Sequence, residues 1–153
     1  MHVSAASAAA FLTLWAAACR TNPGEPVGPP SAAVAARSCG PADGAAVGIY
    51  LAPSLEAARD LRPPYVSVQV WRPPGELAGR TWVLTGGAEG GASRQTTAAE
   101  FEFATRGTVT VRRVAADTTI EGAVNLTFPS GVHVRQAFRA AWSSERSSLV
   151  ICG

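Results

Sequence analysis

The chain has 153 residues, 47% hydrophobic and 16% charged, with a formal net charge of +2. That length suits one domain with a workable core, and the composition excludes a disordered chain. The charge is too small to imply a nucleic acid partner, and with all 13 basic residues arginine there is neither a P-loop lysine nor a Schiff-base amine.

Residues 3–18 (VSAASAAAFLTLWAAA) carry no charge. The run is shorter than the about 20 apolar residues of a permanent membrane span, and it ends in small residues as a signal-peptide core does. Ala16-Ala17-Ala18-Cys19 resembles the lipobox of bacterial lipoproteins, with Ala16 where that family usually has leucine and no lysine or arginine ahead of the run. The resemblance implies a signal peptide over 1–18 and a lipid on Cys19 as the new N-terminus. It also implies a cell-envelope location, the outer membrane favoured, with the membrane as partner through the anchor. Ordinary secretory cleavage after Ala18 is one alternative, and a buried alanine-rich helix is another.

Residues 20–30 (RTNPGEPVGPP) hold four prolines and two glycines, which makes a stiff solvated spacer. The expected organisation is a lipidated cysteine and tether over 19–38, then a β-domain over 39–153. Within the tether, residues 31–37 (SAAVAAR) are expected to form a short helical turn.

From Ala45 onward the hydrophobic period is mostly two. Val66, Val68 and Val70 share one face of the run 65–71, and Trp82 and Leu84 alternate with Val83. Phe101 and Phe103 alternate with Glu100 and Glu102, and Val109 and Val111 follow. The runs 120–128, 132–142 and 149–151 complete about eight short strands, separated by turns rich in proline and glycine. One helix is expected over 54–61, capped by Ser54 and stopped by Pro63. The pattern predicts a mainly β fold: an antiparallel sandwich or small open barrel with one short helix.

The hairpin 119–142 is the most specific expectation. Pro129-Ser130-Gly131 suits a three-residue loop with glycine in the left-handed position, setting Phe128 opposite Val132. The inner face then pairs Leu126 with Val134, Val124 with Gln136 and Gly122 with Phe138, while Glu121 meets Arg139 and Asn125 meets Arg135 outside. The segment 122–142 resembles terminal hairpins of exported β-rich bacterial lipoproteins, which implies a β-domain and no particular activity.

With Cys19 lipidated, Cys39 and Cys152 remain, and an oxidising compartment favours a bridge closing nearly the whole domain. Two buried free thiols are the alternative reading.

Catalytic and metal-binding patterns are sparse. His133 is the one histidine outside the leader, no G-x-S-x-G occurs, and clustered metal ligands are lacking, so neither cofactor nor metal is expected. Glu100 and Glu102 read as a charged outer face guarding Phe101 and Phe103. The glycine-rich stretch 86–91 reads as a hairpin tip, without the lysine of a phosphate loop. Arginines 112, 113, 135 and 139 read as a solvated face.

The distinctive feature is Tyr65, Ser67, Gln69 and Trp71 on one strand face, with Arg72 following. Aromatic rings flanking polar groups suit a sugar or peptide, so Tyr65, Gln69, Trp71 and Arg72 are the candidate ligand-binding residues. The expected function is a non-catalytic envelope binding or interaction module with a glycan or protein partner. A carboxylate-based hydrolase of envelope polymers and a structural subunit of an envelope complex are the alternatives.

Overall fold

The alternating runs build one continuous sheet. The computed structural model describes residues 32–115, 118–148 and Cys152. The segment expected to be a signal peptide, Cys19, the proline-rich spacer and the run 149–151 lie outside the described residues. The strands are β1 (Ala32–Cys39), β2 (Ala45–Ala52), β3 (Tyr65–Val70), β4 (Arg80–Val83), β5 (Gly90–Gln95), β6 (Phe101–Phe103), β7 (Arg106–Ala115), β8 (Thr119–Thr127) and β9 (His133–Trp142). Their spatial order is β4-β7-β8-β9-β1-β2-β3-β5-β6. Every neighbouring pair is antiparallel except β1 and β9, which run parallel where Val34 meets Ala141 and Ala35 meets Trp142.

Of the two expected arrangements, the curled single sheet is the one formed. β6 passes into β7 through Ala104 and Thr105 alone. Ala104 N–H donates to the Ala92 carbonyl of the β5 side (2.9 Å), and Thr105 N–H donates to the Thr127 carbonyl of β8 (2.9 Å). One bent stretch of chain therefore bonds to strands near both ends of the sheet and draws it into an open barrel. The interior is filled by one apolar cluster with contributions from β1, β2, β3, β4, β5, β7, β8 and β9, including Ile49, Leu51, Val68, Val109 and Leu126. Leu77, on the β3–β4 connection, is fully buried in the same cluster.

The 119–142 hairpin has the expected register throughout, from Thr119 opposite Ala141 to Thr127 opposite His133. Phe128 N–H donates to Val132 O (3.0 Å), Gly131 N–H donates to Phe128 O (3.0 Å), and Gly131 has φ +82°. Leu126, Val124 and Phe138 are buried on the inner face, and Arg139 pairs with Glu121 at 3.5 Å outside. A bulge in β7 between Val111 and Arg113 restores alternation, so Val114 opposes Ile120 while Arg113 opposes Glu121.

Residues 32–38 correct an expectation. From Ala32 the alanine-rich run forms β1 instead of a helical turn, so the last part of the segment assigned to the tether is a strand of the sheet. Helix propensity favours alanine by only tenths of a kcal/mol per residue, whereas β1 pairs with β2 over eight residues and with β9 on its other side. Ala33 and Ala35 face the barrel core. Val34, on the opposite face, packs with Ala52 and Ala58. Small side chains on β1 leave room for α1 (Leu55–Asp60) to lie against that outer face. Ser54 caps α1 as expected, its hydroxyl accepting from Ala57 N–H at 3.1 Å. A second single-turn helix, α2 (Ser144–Ser148), follows β9.

Cys39 and Cys152 stand at disulfide distance, 5.5 Å between Cα atoms. Cys39 is the last residue of β1, the strand that meets β9 at a parallel seam, and Cys152 Sγ lies 3.6 Å from the Ser38 carbonyl oxygen.

Candidate functional site

Two-residue alternation places Val66, Val68 and Val70 inside the barrel and Tyr65, Ser67 and Gln69 outside. Cross-strand register then fixes what stands beside them. Tyr65 is opposite Gln95, which is opposite Phe101; Ser67 is opposite Ser93, which is opposite Phe103; Gln69 is opposite Gly91. From Tyr65 to Trp71 this outer face runs about 20 Å at strand rise.

Gly91 brings no side chain to that face, and an open groove results. Its volume is about 220 Å³, and its lining includes Ser67, Gln69, Trp71, Gly91, Ser93 and Phe103. Its lining combines small and polar residues with the aromatic Trp71 and Phe103, and none of the described lining residues is charged. Ser38 Oγ donates to Gln69 Oε1 at 3.4 Å, which orients the amide. Trp71 N–H donates to the Glu89 carbonyl at 2.9 Å, tying its backbone to the β4–β5 connection.

Gln69 and Trp71 thus come together at the groove, with Ser67 beside them. Tyr65 is half-buried two rows away, donating through its hydroxyl to Gln95 and packing near α1. Arg72 turns elsewhere: its guanidinium donates to Trp71 O (2.8 Å) and sits 5.7 Å from the centroid of Trp82, which is buried.

Phe101 and Phe103 overturn the expectation that glutamates shield them. They are 64% and 68% exposed and meet edge to face, with centroids 5.4 Å apart. Glu102 is the residue that turns inward. It lies 3.3 Å from Arg94 Nη2 and accepts from Ser130 N–H (3.1 Å) and Ser130 Oγ (2.7 Å). The Arg94 and Glu102 side chains are only 16% and 20% exposed, and Arg94 lies 5.8 Å from the Phe128 ring centroid. This inner pair links β5 and β6 to the β8–β9 turn across the opening of the barrel. A strand read alone orients by its apolar residues, and the partners that hold Glu102 inside are far away in sequence. Glu100 stays outside, 3.2 Å from Thr96 Oγ1.

The remaining chemistry-bearing residues are dispersed. His133 is exposed beside the hairpin turn, its Nδ1 3.0 Å from Thr127 Oγ1. Among the described residues no group of three His, Cys, Asp or Glu side chains is placed to hold a metal ion. Among them, too, no helix is long and apolar enough to cross a membrane. No family model, no curated protein and no solved structure matches the chain.

Proposed function

We propose that this chain is an exported, lipid-anchored envelope protein whose barrel is a non-catalytic binding module for an extended glycan. The observation that carries the reading is the outward Phe101–Phe103 pair beside the groove that ends at Trp71. Leaving a phenylalanine in water forgoes about 1.5–3 kcal/mol of burial, so folding alone gives no reason to place two on one short strand. Rings flanking hydroxyl and amide groups suit a sugar, whose apolar faces stack while its hydroxyls bond to Ser67, Gln69 and Ser93. The described carboxylates favour binding over hydrolysis. Glu102 is held by Arg94 and Ser130, and Glu100 by Thr96, so the two do not act together on one substrate.

Titration of the full chain with a soluble N-acetylhexosamine oligomer such as chitotetraose tests this reading. Saturable binding is expected, weakened at least tenfold in Phe103→Ser and abolished in the Phe101→Ser/Phe103→Ser double variant. Thermal stability should hold, because neither ring is part of the core. Equal binding by the double variant would sink the glycan site; capture of a protein partner that depends on the same rings would replace glycan with peptide.

The leader and Cys19 carry the envelope part of the proposal, and the oxidising compartment it implies would join Cys39 to Cys152. Cys19→Ala is expected to release the protein in soluble form upon fractionation. Retention of that variant in the membrane would exclude lipid anchoring at Cys19.

A further inference from the structure

A second cavity opens at the end of the barrel where β1, β7 and β9 terminate. Its volume is about 310 Å³, and its walls include Pro74, Ala78, Val114 and Trp142, with Arg37 as the one charged residue among the described residues of its lining. Pro74 and Ala78 come from the β3–β4 connection, whose Leu77 is buried in the core. That anchoring sets the connection across the mouth. Trp142 and Val114 pack against the same core from the ends of β9 and β7. Arg37 N–H donates to Ser147 Oγ at 3.1 Å, which ties the backbone of β1 to α2. None of the ion pairs among the described residues involves Arg37.

We propose that this mouth is a binding site for a small amphiphilic carboxylate, distinct from the outer-face groove. An aromatic or short aliphatic body lies against Trp142, Val114 and Pro74, and the carboxylate is held by the Arg37 guanidinium, whose planar fork matches two oxygens. Each part of the ligand follows from the lining. Apolar walls offer nothing to a bare inorganic anion, and a purely apolar ligand leaves the Arg37 guanidinium unused. The volume is at the low end of the about 300–1,000 Å³ typical of small-molecule sites, which excludes a long lipid tail. The mouth of a β-barrel is also a recurrent place for such sites.

Calorimetric titration of the full chain with 3-phenylpropionate and with the neutral 3-phenylpropan-1-ol tests the assignment. The acid is expected to bind at least tenfold more tightly than the alcohol. Arg37→Met should erase that preference while retaining the wild-type circular dichroism, since Arg37 is exposed and outside the core. In NMR spectra the acid should shift the indole N–H of Trp142 and leave that of Trp71 in place. Failure of the acid to bind the wild-type chain, undiminished binding by Arg37→Met, or a shift confined to Trp71 would each overturn the proposal. A chain that binds the acid at Trp142 but no glycan would leave this site intact and remove the other.

Discussion

Replacing Cys39 and Cys152 together by serine is expected to lower stability by about 4–5 kcal/mol in urea unfolding of oxidised protein. The two cysteines are 113 residues apart in sequence and 5.5 Å apart between Cα atoms. In the chain-entropy account a link of that span removes about 4–5 kcal/mol of conformational freedom from the unfolded chain. The topology gives the link a specific task. β1 and β9 are the first and last of the described strands, and Val34–Ala141 and Ala35–Trp142 pair them. A parallel seam between strands far apart in sequence closes late and at high entropic cost. A bridge from the end of β1 to Cys152 would keep these distant segments together in the unfolded state. The variant should therefore lose stability by as much as reduced wild-type protein does. A loss under about 1 kcal/mol would show that the pair is unlinked, or that the seam holds without it.

Gly122→Ala is expected to cost about 3 kcal/mol, in the upper range of single-residue effects. A Cβ added at Gly122 stands 2.3 Å from the Thr110 carbonyl oxygen and 2.8 Å from Phe138 Cζ. The first neighbour is backbone in β7, held by the β7–β8 ladder, and the second is a ring buried in the core. Neither can withdraw without opening strand pairing or core packing. Adding Phe138→Leu should recover part of the loss by relieving the ring contact, with the clash at Thr110 remaining. Gly87 is the control: an added Cβ there meets nothing within 4 Å, so Gly87→Ala should change stability by less than about 0.5 kcal/mol. Chemical denaturation of the four chains measures all three differences. Equal costs at Gly122 and Gly87 would contradict the packing described for the hairpin.

The two sides of the candidate site differ in how far they were legible. Tyr65, Ser67, Gln69 and Trp71 were readable as one face because three valines alternate with them and mark the other side. Phe101 and Phe103 were misread for the same reason in reverse. Alternation identifies which residues share a face and cannot say which face is inside when both hold plausible core or surface residues. Phe-Glu-Phe reads as two core residues around a solvated one until Arg94 and Ser130 are set beside Glu102. Where a strand breaks the local rule and leaves its rings in water, function is the usual reason.

The sequence by itself determined the local geometry: the hairpin turn at 129–131, the 119–142 register, the Ser54 cap and the mainly β character. Each depends on residues within one hairpin or one helical turn, where chemistry and spacing leave few alternatives. Tertiary structure alone decided that the sheet curls into one barrel, that the alanine-rich segment 32–39 is a strand between β9 and β2, and that Phe101 and Phe103 face solvent. Those outcomes turn on contacts between residues tens of positions apart. A parallel seam between strands far apart in sequence, a bent stretch bonded to β5 and β8, and an inward ion pair leave no periodic trace in the chain.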